Sequence, residues 1–233
     1  MQPAKPTAED FKEGQLLLID KPLGWTSFQV VNKVRWLIRK GHNIKKIKVG
    51  HAGTLDPLAS GLLILCTGKF TKQIENLQGQ EKEYTGTFTL GSTTPSYDLE
   101  TEIDQTFPTD HLTEETIRQE CSQFIGEIKQ FPPIFSALKK EGKRLYEYAR
   151  AGEEVEISAR QVTIKEFEVT AIRGLEVEFR VVCSKGTYIR SLAHDFGKAL
   201  DSGAHLSALR RTRIGNYHVN DSISLEFFEN EYL

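Results

Sequence analysis

The order of apolar and polar residues predicts a chain in which helices and strands are mixed. A helix begins after Thr26 or Ser27, either of which can cap it, and stops at Gly41. Residues 62–66 are apolar throughout, which is typical of a buried strand. Residues 83–91 alternate mainly apolar residues with threonines, which predicts a strand with one buried face.

The second half of the chain continues this mixed pattern. Residues 161–171 and 175–183 predict a strand pair. A strand pattern over residues 187–190 leads into a helix over residues 191–200, and residues 214–219 form a last short strand. Because helices and strands do not alternate regularly, we expect an α+β fold with a mixed, mostly antiparallel sheet flanked by helices and loops.

The composition is that of an ordinary globular domain. Of 233 residues, 39% are hydrophobic and 27% are charged, and no apolar run is long enough to cross a membrane. Residues 1–14 are expected to form a flexible tail, which leaves residues 15–233 as one domain. Cys66, Cys121 and Cys183 fit neither a metal site nor a disulfide framework, which favours a reducing, cytoplasmic location.

Charge is unevenly distributed, although the formal net charge is only −2. Three clusters of cations stand out: seven between Lys33 and Lys48; then Lys139, Lys140, Lys143 and Arg144; then Arg210, Arg211 and Arg213. The acids collect in other segments. Such patches suit a protein that presents a basic face to RNA or DNA, and solvated helix faces are the alternative interpretation.

The clearest chemical signal lies in residues 50–61, where Asp56 stands among three glycines and a proline. Glycines allow a tight turn and the close approach of a ligand. A carboxylate held on such a turn can be positioned for chemistry. An Asp before a Pro is also a common cap, and His51 can be an ordinary turn residue, so the pattern alone leaves both roles open.

Four sequence blocks occur in a fixed order: Lys21-Pro22-Leu23-Gly24 with the helix after it; residues 50–61; residues 132–139 with Gly142 and residues 146–150; and residues 184–190. In these blocks the chain resembles the TruB-type tRNA pseudouridine synthases. The resemblance implies a pseudouridine synthase fold and isomerisation of uridine 55 in the tRNA T loop. The reaction moves the uracil ring from its N1 to its C5 on the ribose, and because nothing is oxidised or lost, neither a cofactor nor a metal is expected.

The resemblance assigns three catalytic residues. Asp56 matches the catalytic carboxylate, which acts either as a nucleophile at the sugar or as a base that leads to a glycal intermediate. Arg190 matches the arginine that pairs with this carboxylate. Tyr84 matches a tyrosine that stacks on the target uracil, whereas its pattern alone also fits an aromatic residue packed in a strand.

Four further residues are expected to bind the substrate. His51 matches a histidine that helps to flip the target base out of the T loop. Tyr188 and Leu209 match residues that line the uracil pocket. Lys21 belongs to a structural block and is expected to approach RNA phosphate.

The resemblance also implies an RNA partner, and the chain differs from the family in two respects. Residues 130–152 match a thumb-like loop that closes over the T arm, so the expected partner is the T arm of tRNA, bound by a monomer. The chain ends soon after the catalytic region, so we expect no C-terminal PUA domain. Residues 91–102 keep Asp98 but differ from the family pattern, which leaves Asp98 without an assigned role.

Two other functions compete with this one. An RNA-binding or RNA-folding module without activity would share the basic clusters but would not need Asp56. A glycosidase-like hydrolase normally uses two acids that flank one bond, and no second acid is close to Asp56 in the sequence.

Overall fold

The computed structural model describes residues 5–232, which divide into two compact units. Within this range, unit 1 comprises residues 5–84 and 210–232, and unit 2 comprises residues 85–209. The single domain predicted from residue 15 onward stays a prediction. The division between the two units falls within two strands, each of which contributes residues to both units.

The helices and strands follow one another along the chain with these bounds: α1 (Ala8–Glu13), β1 (Leu16–Lys21), α2 (Ser27–Gly41), β2 (Val49–His51), β3 (Ala59–Thr67), α3 (Ile74–Gly79), β4 (Lys82–Leu90), β5 (Ser92–Thr93), β6 (Gln105–Thr106), α4 (Glu114–Glu120), β7 (Gly126–Gln130), β8 (Lys139–Lys140), β9 (Lys143–Arg144), α5 (Leu145–Ala151), β10 (Arg160–Arg173), β11 (Glu176–Cys183), α6 (Ile189–Ala199), β12 (Ala204–Ile214), β13 (Tyr217–His218) and α7 (Leu225–Glu231). The division between the units falls inside β4 and β12.

In unit 1, the central strand β3 is buried on both faces. It pairs antiparallel with β1 and with β2, and β12 follows it in the sheet. Leu63 and Leu65 belong to a core cluster with residues of α2 and α7. Leu62, Ile64 and Cys66 belong to a second cluster with residues of α3 and β12. Burial on both faces explains why the apolar run is unbroken, and the predicted buried strand is confirmed.

Helix α2 begins and ends where the sequence predicted. The Thr26 hydroxyl accepts a hydrogen bond from the Gln29 backbone N–H at 3.0 Å, and the Gln29 side chain accepts one from the Thr26 backbone N–H at 2.7 Å. This reciprocal capping box satisfies two backbone donors at the start of the helix. Ser27, the other candidate cap, is buried and has different partners.

In unit 2, the sheet order is β12-β4-β11-β10-β7, and β10 pairs antiparallel with both β11 and β7. Five phenylalanines from these strands, from α6 and from the 3₁₀ turn after α4 form a continuous cluster: Phe88, Phe124, Phe167, Phe179 and Phe196. Because one face of β4 contributes to this cluster, the alternation predicted over residues 83–91 is confirmed.

The α+β class and the mostly antiparallel sheet are confirmed. The paired strands described above run antiparallel, and two isolated bridges, Ile19 with Ile223 and Asp98 with Leu206, are parallel. Over residues 5–232, no helix has both the length and the apolar character needed to cross a membrane.

The predicted flexible tail is wrong for Ala8–Glu13, which form helix α1. Thr7 and Asp10 make a capping box, and Phe11 is fully buried beside Phe228 and His42. This helix could not be predicted from the sequence, because one buried residue in a six-residue helix produces no periodic signal. The first four residues of the predicted tail lie outside the described residues.

The last strands also differ from the prediction. The sequence predicted a short strand over residues 214–219, but β12 already runs through Ala204–Ile214 and only Tyr217–His218 pair after it. Arginines in the second half of β12 hid the apolar pattern of that strand. Residues 187–190 do not continue a strand, because β11 ends at Cys183 and α6 begins at Ile189.

We expect Phe11→Ala to lower the free energy of unfolding by about 3–5 kcal/mol, because it removes a fully buried ring and leaves a cavity. The matched control is Phe227→Ala, whose ring is 49% exposed, with an expected change of less than about 1 kcal/mol. Urea unfolding followed by tryptophan fluorescence measures both, since Trp25 and Trp36 lie in unit 1. Equal losses in the two variants would contradict a structural role for α1.

Candidate active site

The turn that carries Asp56 is fixed from one side by Ser27. The Ser27 hydroxyl donates to the Leu55 carbonyl at 3.0 Å and accepts from the Leu55 backbone N–H at 2.8 Å. Ser27 is 3% exposed, so water does not compete for these bonds. The Asp56 carbonyl accepts from the Ala59 N–H at 3.1 Å, which closes the turn before β3. The residue before Asp56 is therefore held by a side chain from the first turn of α2.

Arg211 fixes the same turn from β12. Its guanidinium is 1% exposed and donates to three backbone carbonyls: Leu62 at 2.8 Å, Gly53 at 3.2 Å and Thr54 at 3.3 Å. A planar group with several donors can satisfy carbonyls that point in different directions, which a lysine cannot do with the same geometry.

Gly61 allows Arg211 to come this close. Its φ of +104° lies in the region that favours glycine, and a Cβ atom there would overlap the Arg211 backbone carbonyl. Gly61 therefore serves the contact between the turn and β12.

Lys21 and His51 lie near the same turn. Lys21 is fully buried, and its ammonium donates to the carbonyls of Pro22 at 3.0 Å and Trp25 at 2.6 Å. Burial lowers the pKa of Lys21 to about 8, with the Asp56 charge raising it and the Arg211 charge lowering it. This ammonium donates to backbone carbonyls of the segment that precedes α2, so the expectation that Lys21 approaches RNA phosphate gains no support.

The imidazole of His51, at the end of β2, is partly buried. Burial lowers the pKa of His51, the backbone of Gly53 acts in the opposite direction, and the charge of Arg211 lowers it further. The neutral form therefore dominates at neutral pH. Unit 1 thus brings His51, Asp56 and Lys21 to one turn around the buried Arg211.

Tyr84 is the last residue of the first segment of unit 1 and lies in β4. It is 8% exposed and belongs to the buried face predicted from the sequence. Its proposed contact with uracil stays a prediction.

Arg190 lies in the first turn of α6 in unit 2 and is 4% exposed. Its guanidinium donates to the carbonyls of Phe135 at 2.9 Å and Ser96 at 3.3 Å. Its Nε atom lies 3.6 Å from a carboxylate oxygen of Asp98, which is itself 5% exposed. Asp98, to which the sequence assigned no role, is therefore part of the surroundings of Arg190.

The loop around Asp98 is rigidly hydrogen-bonded. The hydroxyls of Thr94 and Ser96 both donate to the Asp98 carbonyl, at 2.6 and 3.1 Å. The Asp98 carboxylate accepts from the Glu100 N–H at 3.0 Å. In the sequence, Asp98 stands out only as an acid among residues with hydroxyl groups. Its partner Arg190 lies 92 positions further along the chain (190 − 98 = 92), so the pair could not be predicted from the local pattern.

Tyr188, directly before α6, is held through its backbone by Gln130. The Gln130 side chain accepts from the Tyr188 N–H at 2.8 Å and donates to the Tyr188 carbonyl at 3.0 Å. Gln130 is 1% exposed, and sequence reasoning did not single it out. Leu209, the last residue of unit 2, is half-buried in β12.

The segment 130–152, expected as a thumb-like loop, contains the β8-β9 hairpin and helix α5. Its base is tied to α6, because the Ser191 hydroxyl donates to the Phe131 carbonyl at 2.7 Å and Arg190 binds the Phe135 carbonyl. Exposed cations remain along the segment, among them Lys139, Arg144 and Arg150. The positive charge expected for an RNA contact is therefore on the surface.

The third basic cluster does not form part of an exposed basic face, which corrects that interpretation. Arg211 is buried, and Arg210 pairs with Asp20 at 2.7 Å. Arg213 pairs with Glu81 at 3.0 Å. The first cluster does reach the surface, where its exposed members are Arg39, Lys40, Lys45, Lys46 and Lys48. In the part of the chain that the structure describes, no group of three or more His, Cys, Asp or Glu side chains is arranged to hold a metal ion.

Comparison with known proteins gives a consistent picture. A family profile described as "TruB family pseudouridylate synthase (N terminal domain)" matches residues 39–189, and one described as "tRNA pseudouridylate synthase B C-terminal domain" matches residues 190–233. The tRNA pseudouridine synthase B of Flavobacterium johnsoniae is 66% identical over 96% of this chain and 98% of its own length. The protein of the same name from Phocaeicola vulgatus is 57% identical over 94% of this chain and 93% of its own length.

Two solved structures are also similar. An H/ACA ribonucleoprotein bound to a substrate RNA containing 2′-deoxyuridine has a chain that is 31% identical with a TM-score of 0.69, matched over 100% of this chain and 59% of that one. The archaeal box H/ACA complex of Nop10 and Cbf5 gives 28% identity and a TM-score of 0.67, over 96% of this chain and 57% of that one. This chain therefore spans a little more than half of those chains.

We expect Arg211→Met to lower the free energy of unfolding by at least about 2 kcal/mol, because three buried carbonyls lose their donor. The matched control is Arg210→Met, which removes a half-exposed ion pair and is expected to cost less than about 1 kcal/mol. Urea unfolding of both variants makes the comparison. A similar loss from the two changes would contradict the anchoring role of Arg211.

We expect Asp98→Asn to destabilise the protein by on the order of 3 kcal/mol, because it removes a buried negative charge beside the buried Arg190. Glu100→Gln is the control, since its pair with Arg150 is exposed and is expected to contribute less than about 1 kcal/mol. Circular dichroism during urea unfolding measures both variants. If Asp98→Asn were as stable as Glu100→Gln, the ion pair between Asp98 and Arg190 would not contribute to the stability of the fold.

Proposed function

Because the chain belongs to the TruB family of pseudouridylate synthases, we propose that it acts on tRNA and converts uridine 55 of the T loop to pseudouridine. The observation that carries the proposal is the fixed turn at Asp56. Ser27 and Arg211 hold the backbone on either side of this carboxylate, and Lys21 supplies a nearby positive charge. Such preorganisation is what a positioned catalytic carboxylate needs.

In the proposed reaction, Asp56 acts on the ribose of the target uridine. The bond between C1′ and N1 breaks, the uracil turns, and a bond from C1′ to C5 forms while the C5 proton moves to N1. Substrate and product are isomers: the uracil that leaves C1′ through N1 returns to it through C5, so no electron donor or acceptor is required and nothing is released. Asp56 serves either as a nucleophile at C1′ or as the base that gives a glycal, and both routes use an ionised carboxylate.

Arg190, Tyr84, Tyr188 and Leu209 take their proposed roles from the family. Arg190 provides the cation that pairs with the catalytic carboxylate, and the pairing stays a prediction. Its orientation within unit 2 is supported by Asp98 and by two backbone carbonyls. Tyr84 contacts the uracil ring, and Tyr188 and Leu209 line its pocket.

His51 is proposed to stack in the space that the flipped base leaves. A neutral imidazole suits this task because it avoids the desolvation cost of a charged ring. The lowered pKa of His51 therefore supports the proposal. Stacking of an aromatic ring contributes about 1–3 kcal/mol per base, which offsets part of the cost of extrusion.

The tRNA T arm is proposed to lie against the thumb segment 130–152 and the first basic cluster. Exposed lysines and arginines on both can contact phosphates, which position an RNA without reading its sequence. A monomer working in the cytoplasm completes the proposal, and the three buried cysteines suit a reducing compartment.

We expect Asp56→Asn to abolish pseudouridine formation, with a loss of at least about 10³-fold, because the amide can neither attack the sugar nor accept its proton. The measurement is single-turnover reaction with an unmodified tRNA transcript, followed by chemical mapping of pseudouridine at each position. The control is Asp110→Asn, which changes an exposed acid in unit 2 and is expected to react at the wild-type rate.

Three outcomes would contradict parts of the proposal. Equal product from wild type and Asp56→Asn rules out the role of Asp56. Product at a position other than 55 rules out the specificity. Release of free uracil instead of an isomer indicates a hydrolase.

A further inference from the structure

Unit 2 contains a cavity of about 590 Å³ that the proposed reaction does not use. One wall comes from the segment 93–107 and the other from α6 and the loop after it. Tyr97 and His194 are among the residues that line it, together with Phe107. The volume is within the range of small-molecule sites, about 300–1,000 Å³.

Tyr97 adopts a backbone conformation that is unusual for an aromatic residue. Its φ is +64°, in the left-handed region, which costs on the order of 1–3 kcal/mol for a residue other than glycine. The surrounding backbone holds it there: the Tyr97 N–H donates to the Thr94 carbonyl at 3.0 Å, and the Tyr97 carbonyl accepts from the Leu206 N–H at 2.9 Å. Strain maintained by neighbouring bonds is a feature of functional sites.

The ring of Tyr97 is stacked on the imidazole of His194. Their centroids are 4.1 Å apart and their planes differ by 17°. Within residues 5–232, no hydrogen bond reaches the buried Nδ1 atom of His194. Burial lowers the pKa of His194, with the Lys198 charge acting in the same direction and the Asp104 charge in the opposite one, so the ring is neutral at neutral pH. A flat ligand can extend this stack.

The charges of the cavity exclude phosphate as the preferred ligand. Among the described residues that line it, Asp104 and Asp201 contribute two carboxylates and Lys198 contributes one ammonium. This excess of acceptors favours a ligand that carries N–H donors and no negative charge. A flat shape, donor groups and the lack of a negative charge all fit a nucleobase with an amino group.

We propose that this cavity binds a nucleobase that carries an exocyclic amino group, as adenine, cytosine and guanine do. The ring extends the stack of Tyr97 on His194, and the amino group donates to the Asp104 carboxylate. Because uracil has no amino group, the ligand proposed here differs from the base that reacts. The base comes either from a free nucleoside or from an unpaired position of an RNA, and the two sources share the same chemistry.

The first arm of the test measures free nucleosides. Saturation-transfer NMR is recorded with adenosine, cytidine, guanosine and uridine on wild type, Tyr97→Gly, Asp104→Asn and the control Glu102→Gln. Glycine suits the positive φ at position 97, so this variant removes the ring without backbone strain. Glu102 is an exposed acid close to Asp104 in the chain that does not line the cavity.

We expect the amino-bearing nucleosides to bind wild type and Glu102→Gln equally, and to bind Tyr97→Gly and Asp104→Asn at least about tenfold more weakly. Uridine should show no difference between wild type and Tyr97→Gly. The second arm measures the affinity of each protein for tRNA. Weaker tRNA binding by Tyr97→Gly and Asp104→Asn than by wild type and Glu102→Gln indicates that the cavity binds a base of the RNA.

The two arms distinguish the two sources of the base. Loss of nucleoside binding in Tyr97→Gly and Asp104→Asn supports a site for free nucleosides, and loss of tRNA affinity alone in these variants supports a site for a base in RNA. If both arms are unchanged by both substitutions, or if uridine binds the cavity as well as adenosine, the proposal is overturned. Thermal unfolding shows whether each variant is folded. If Tyr97→Gly does not fold, Asp104→Asn alone tests whether the cavity binds the base. None of these readouts depends on pseudouridine formation.

Discussion

The hydrogen bonds from Arg211 to the backbone of the Asp56 turn are the constraint on which unit 1 depends. Residues 53–55 lie in no helix or strand, so their carbonyls need partners from elsewhere. A buried guanidinium supplies donors in several directions at once, and Ser27 holds Leu55 from the opposite side. Because β12 is also a strand of the sheet, the turn takes its position from the sheet.

Three buried cations follow the same physical rule. Lys21, Arg190 and Arg211 are all 4% exposed or less, and all donate to backbone carbonyls. Burying an ion without partners would cost several kcal/mol, and carbonyl dipoles offset this cost. The carbonyls also fix the direction of each side chain, so positive charge is placed accurately within each unit. Fixed positive charge suits the proposed reaction, because it stabilises an ionised carboxylate and attracts the phosphates of an RNA.

The fold could be predicted where the signal is local. The capping box and stop of α2, the apolar run of β3 and the alternation of β4 depend on residues close together in the chain, and all are confirmed. Helix α1 and strand β12 could not be predicted. One is too short to show a period, and the other carries arginines whose burial depends on carbonyls provided by a distant segment.

The sequence by itself determined the family, the fold class and the residues around which the proposed reaction is built, because ordered motifs and short-range patterns record them directly. The tertiary structure decided what holds those residues. Arg211 bonds to Leu62 across 149 positions, and Gln130 bonds to Tyr188 across 58. The ion pair of Asp98 with Arg190 and the stack of Tyr97 on His194 also join residues that are far apart in the chain. Burial and hydrogen bonding between distant segments arise only when the chain is folded, so no local pattern encodes them.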